Sequence, residues 1–113
     1  MASQINDSGK NAALNALGAL CTHMALYSDV GGTTELTGGS YARKSISFAA
    51  ASGGSKAVTG SVVFDVPAGG TVLSVGFLTA ITGGVQHAID DVTQETFTSA
   101  GTYTVTSATI AIS

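Results

Sequence analysis

Two histidines, one cysteine, seven scattered acids and four bases are the reactive side chains of this 113-residue sequence. Three local groupings of them invite chemistry. Cys21 and His23 stand two residues apart, which puts both on one side of an extended strand, where a metal ion could sit. A structural zinc site takes four ligands from such residues, and the whole chain holds only three Cys and His residues. A strand histidine beside a cysteine is the simpler reading. His87 with Asp90 and Asp91 is the second grouping, able to hold a cation or support a general base, although three polar residues near a turn also read as solvated surface. The third is Tyr41-Ala42-Arg43-Lys44, the one basic cluster. The Arg fork suits carboxylates at subunit contacts, so Tyr41 and Arg43 are candidate interface residues; the plainer alternative is an exposed strand end.

No nucleophile is set up for catalysis. Serines are plentiful, but no Gly-x-Ser-x-Gly elbow is present. Neither a Gly-x-x-x-x-Gly-Lys phosphate loop nor a dinucleotide Gly-x-Gly-x-x-Gly occurs after a strand. The expectation is a non-enzymatic protein with no catalytic residues, no cofactor and no metal.

Composition points toward contact. Charged residues make up 10% of the chain, against about 25% in an average protein, and Ser and Thr supply the polarity instead. Such a surface suits close, uncharged packing against other subunits. The net charge of −3 with four basic residues lacks the footprint of a nucleic-acid binder. The lone Cys21 has no partner for an intrachain bridge. The apolar run from Ala12 to Leu26 is broken by Asn15, Thr22 and His23, so it reads neither as a secretory leader nor as a membrane span. Synthesis in the cytoplasm is expected.

The elements that must position these residues follow from periodicity. Residues 8–20 predict a helix, capped by Asp7 or Ser8, with Ala13, Leu17 and Leu20 (Leu14 alongside) as its apolar stripe. Leu14 and Leu17 are core candidates and also candidates for docking on a neighbour. Cys21 to Tyr27 alternates as a strand, and Ser28 to Ser40 is a surface loop. Tyr41 to Ala50 and Val58 to Val66 are expected to form a hairpin around Ser52-Gly53-Gly54-Ser55. Thr71 to Ala80, almost continuously apolar, is a central strand covered on both faces. Val85 to Ile89 predicts a short strand, and Phe97 with Thr102 to Ile112 a further pair, with a bend near Ser107 where the apolar parity switches. Five Gly-Gly pairs supply the reversals. The fold class expected is mainly β: a single domain over residues 1–113, an antiparallel β-sandwich with Greek-key or jelly-roll-like connections and one N-terminal α-helix.

Several segments are similar to a family of small tailed-bacteriophage proteins described as tail-fibre-like or minor tail proteins. They include Ala13-Leu14-Asn15-Ala16-Leu17, Ala25-Leu26-Tyr27-Ser28, Glu35-Leu36-Thr37-Gly38-Gly39-Ser40-Tyr41-Ala42-Arg43 and Phe48-Ala49-Ala50-Ala51-Ser52-Gly53-Gly54. Val63-Phe64-Asp65-Val66-Pro67-Ala68-Gly69, Val75-Gly76-Phe77 and Thr96-Phe97-Thr98-Ser99-Ala100-Gly101-Thr102-Tyr103-Thr104 complete the set, which spans nearly the whole chain. The resemblance implies a virion structural protein, an accessory surface component of the capsid (decoration) or of the tail tip or fibre. Its partners would be major capsid or tail proteins and further copies of itself, with a trimer as the expected homo-oligomer; no nucleic acid or membrane enters. A carbohydrate- or receptor-binding module is the alternative.

Overall fold

The computed structural model describes residues 4–112. Among the described residues the one helix, α1 (Asp7–Leu20), starts behind Asn6, whose extended backbone makes the N-cap without a side-chain hydrogen bond. Asp7 lies inside the first turn, where its charge favours the positive end of the helix dipole. The expected cap at Asp7 or Ser8 is therefore one or two residues too late. The apolar stripe also turns out differently. Leu14 is the buried helix residue and Leu17 packs beside it, whereas Leu20 is 54% exposed and Ala13 faces solvent. Polar anchors set this rotation: Asn11 Oδ1 accepts the Gly54 N–H and Asn15 Oδ1 accepts the Ala51 N–H, each at 3.0 Å.

Cys21 closes the helix by donating its N–H to Leu17 O, and the chain runs straight into β1 (His23–Tyr27). Four strands form the larger sheet: β1, β2 (Lys44–Ser45), β5 (Thr71–Leu78) and β6 (Gln86–Thr96), in the order β2-β1-β5-β6 and antiparallel throughout. β1 is buried from Met24 to Tyr27 rather than alternating, because it lies inside the sheet with both faces covered. β5 is the expected central strand, buried along most of its length. The second layer consists of two ladders, β3 (Ser55–Ala57) with β8 (Thr109–Ala111) and β4 (Val62–Val66) with β7 (Gly101–Val105). Between the layers, Met24, Leu26, Val72, Val75 and Phe77 pack against Val62, Phe64, Val66, Val105, Ile110 and Leu14. The result is mainly β and sandwich-like, with antiparallel pairing and one helix.

Three pairings differ from expectation. The 41–50/58–66 hairpin zips only near its turn, through the Ser52↔Ser55 and Phe48↔Val58 bridges. Beyond Thr59 the chain turns at Gly60, whose φ of +70° is open to glycine at little cost. β4 then joins β7, with Val62, Phe64 and Val66 turned inward. The short strand at 85–89 is instead the eleven-residue edge strand β6. Phe97 pairs its backbone with Gly69 and Gly70, not with the terminal segment. That terminal segment divides between β7 and β8, and the break lies between Val105 and Thr109, around the anticipated bend at Ser107.

Candidate functional site

The outer edge of β1 is served by two short pieces rather than one strand. β2 pairs with His23 and Met24. Further along, Leu36 N–H donates to Leu26 O, Ser28 N–H donates to Thr34 O, and Tyr27 bridges Glu35. Between the two pieces the Leu26 N–H lacks a strand partner, and a half-buried amide in that position must find an acceptor. Tyr41 supplies it: its hydroxyl oxygen accepts the Leu26 N–H at 3.0 Å and donates its own proton to Glu35 Oε2 at 2.8 Å. The Tyr41 ring stacks on Phe64, 6.4 Å between centres.

Glu35 is also gripped by Arg43. Nε donates to Oε2 at 3.0 Å and Nη2 to Oε1 at 2.9 Å, a two-pronged pair, with the Arg43 side chain 11% exposed and that of Glu35 26%. Arg43 Nη1 continues outward to the carbonyls of Ala80 (3.0 Å) and Gly83 (2.8 Å). One guanidinium thus joins the 28–43 loop to the 79–85 loop. Burial pushes the Glu35 carboxyl up, but the Arg43 and Tyr41 hydrogen bonds outweigh it and hold it below the usual range. Burial, reinforced by the Glu35 charge, drives the Tyr41 phenol well above its ordinary value, against the opposing Leu26 N–H.

A second set of bonds folds the 29–34 turn onto the sheet. The Asp29 carboxylate accepts the Thr33 hydroxyl (2.5 Å) and the Thr33 and Thr34 N–H groups, and these hold its pKa down, the Thr33 hydroxyl first. Ser74 Oγ donates to Asp29 O at 2.6 Å, and Gln86 Nε2 donates to Gly32 O at 2.8 Å. Tyr27 lies across Gly76, where an added Cβ would come 2.5 Å from its Cε2. The two braced loops carry Val30, Ile81 and Val85, each more than half exposed, and Ile89 of β6 lies under Gly32 at 39% exposure. A sheet end whose charged side chains Asp29, Glu35 and Arg43 are bonded within the molecule and whose apolar side chains Val30, Ile81 and Val85 stand exposed is suited to contact with another protein.

The sequence candidates are placed as follows. Tyr41 and Arg43 meet in the Glu35 clamp and work from behind this surface. Leu14 sits in the core at 1% exposure with Leu17 packed against it. Cys21 is buried, its thiol pKa raised by that burial, while His23 Nδ1 lies 2.9 Å from Thr22 Oγ1. His87, Asp90 and Asp91 lie on β6 rather than at a turn, and as strand neighbours Asp90 and Asp91 project from opposite faces. Among the described residues no group of three His, Cys, Asp or Glu side chains is placed to hold a metal. Among the described residues no aromatic ring stands exposed: Tyr27, Phe64 and Phe77 are buried, and Tyr41, Phe48, Phe97 and Tyr103 are half-buried.

Sequence reasoning passed over Glu35, Asp29 and Gln86. A signal existed for the first, since Glu35 is the acid nearest in sequence to Arg43. Asp29 followed by Thr33-Thr34 is the composition of a side-chain-closed turn. Gln86 has no local signal, because its partner Gly32 is 54 positions away.

No curated protein and no solved structure gives a significant match to the chain. A family model does: that of the podophage GP4 fiber I protein gp80 matches residues 11–113.

Proposed function

We infer the role of this chain from one premise: it belongs to the podophage GP4 fiber I protein gp80 family. It is therefore a phage fibre-type structural protein, located in the virion and in contact with other virion proteins. The finer reading is that it is an accessory surface component at the tail, acting by shape and contact and performing no catalysis. The family match, which extends over nearly the whole chain, carries this reading. The loop end supports it, because its charged groups are bound within the molecule and Val30, Ile81, Val85 and Ile89 face outward. In this reading Tyr41 and Arg43 hold the contact surface in shape, Leu14 and Leu17 fix the helix beneath the sheets, and the protein is made in the host cytoplasm and assembles as a homo-oligomer, a trimer being the expected form. Sugar recognition by ring stacking is disfavoured by the absence of an exposed aromatic among the described residues.

The test is the copy number of the chain relative to the major capsid protein in purified particles, measured by quantitative mass spectrometry. A small, fixed number of copies supports a tail fibre or tail-tip role. Hundreds of copies move the protein to the capsid surface, and complete absence from particles refutes the virion role.

A further inference from the structure

Lys56 is a buried lysine with no acid in ion-pair contact among the described residues. It stands on β3 at 7% exposure, and its stem lies against Gly18 of α1, where a Cβ would overlap Cε and Cδ. Its Nζ sits 5.9 Å from the centre of the Phe48 ring and 2.6 Å from Asn15 Oδ1. The ion pair recorded among the described residues joins Arg43 to Glu35, so the Lys56 amine faces a neutral amide and a ring. Withdrawing a charge from water without a paired opposite charge is costly, and turning the amine into an amide abolishes that charge. The Asn15 carbonyl is also primed, because its Oδ1 accepts the Ala51 N–H at 3.0 Å while facing Nζ.

We propose that Lys56 and Asn15 join in an intramolecular isopeptide bond that ties α1 to β3. Asn15 Cγ lies one C=O bond, about 1.2 Å, beyond the oxygen that Nζ touches, so nucleophile and carbon approach the ~3–3.5 Å separation of a near-attack geometry. The uncharged form of the amine attacks Cγ, and the Ala51 N–H stabilises the oxygen as it takes up negative charge. The Nζ–Cγ bond forms and the Cγ–Nδ2 bond breaks. The amide nitrogen departs as ammonia with the proton released from Nζ, and nothing is oxidised or reduced. With no carboxylate paired to Lys56 among the described residues to shuttle that proton, the reaction is slow, and hydroxide supplies the base as pH rises.

Intact-mass spectrometry of the folded, full-length chain tests this, on fresh protein and after incubation at neutral and mildly alkaline pH. The expected result is a mass lower than the sequence mass by one ammonia, in a fraction that grows with time and pH. Tandem fragmentation is expected to locate a branched peptide joining Asn15 to Lys56, and Lys56→Arg to abolish both. A cyclised asparagine would lose the same mass without giving a branched peptide. An unchanged mass under every condition overturns the proposal, as does a deficit that persists in Lys56→Arg. The branched peptide is sought in the wild-type protein, so that measurement stands even if the variant folds poorly.

Discussion

Replacing Tyr41 by Phe removes one oxygen and leaves the ring stacked on Phe64. That oxygen has two duties: it accepts the Leu26 N–H where the two edge pieces of β1 leave a gap, and it donates to Glu35. The second loss is tolerable, because Glu35 keeps both prongs of Arg43. The first leaves a half-buried amide without an acceptor, and an orphaned donor costs about 1–3 kcal/mol. Losing the bond to Glu35 as well places the total in the upper part of that range, roughly 2–3 kcal/mol. For a domain near this size each kcal/mol moves the melting midpoint by roughly 4 °C, so Tyr41→Phe is expected to melt about 8–12 °C lower. Urea titration should show a reduced midpoint with an unchanged m-value, and hydrogen exchange should show the Leu26 amide losing protection. A loss under about 0.5 kcal/mol with Leu26 protection intact would refute the idea that Tyr41 acts as a missing rung of the ladder.

The remaining expectations concern acidity, packing and assembly. Glu35 and Asp29 both have folded-state pKa values below their ordinary ones, so the folded state holds these protons less tightly than the unfolded chain does. Their stabilisation is complete above the ordinary carboxylate range near ~4 and is lost as pH falls through it and below, which urea midpoints at pH 7 and pH 4 will register; Glu35→Gln should flatten that dependence. Gly76→Ala forces a methyl against the buried Tyr27 ring, so overpacking of about 1–3 kcal/mol is expected by denaturant titration, although alanine suits a strand better than glycine does. Ile81→Ser and Val85→Ser alter side chains that are more than half exposed. They should leave the melting temperature nearly unchanged while lowering incorporation into particles, and normal incorporation would remove the loop end as the contact surface.

Which parts of this molecule were legible in the sequence follows from the range over which each signal acts. β4 could be read from its alternation, since Val62, Phe64 and Val66 share one face, and β5 from its continuous apolar run. The partners of a strand are not encoded by period. β4 looked ready to zip with residues 41–50, yet one left-handed glycine, Gly60, sends it to β7 at the far end of the chain. The helix was visible, but its rotation was not, because Asn11 and Asn15 fix it through backbone groups some 40 residues away. At the candidate site Tyr41 and Arg43 stood out by residue type, whereas their orientation depended on Glu35, which within a Thr- and Gly-rich stretch looked like an ordinary surface acid.

The division of the β1 edge into two pieces, each with its own backbone pairing, also bears on how the protein can diversify. Residues 34–36 are held by the β1 backbone, and Lys44 and Ser45 are held separately by His23 and Met24. The connector between them passes through Gly38, where an added Cβ would meet nothing within 4 Å. Extra residues there would add only the slowly growing entropy of a longer loop and would unzip neither piece. This turn is therefore a natural port for grafted peptides, where a lineage or an engineer can extend the molecule's reach while the sheets behind it keep their register.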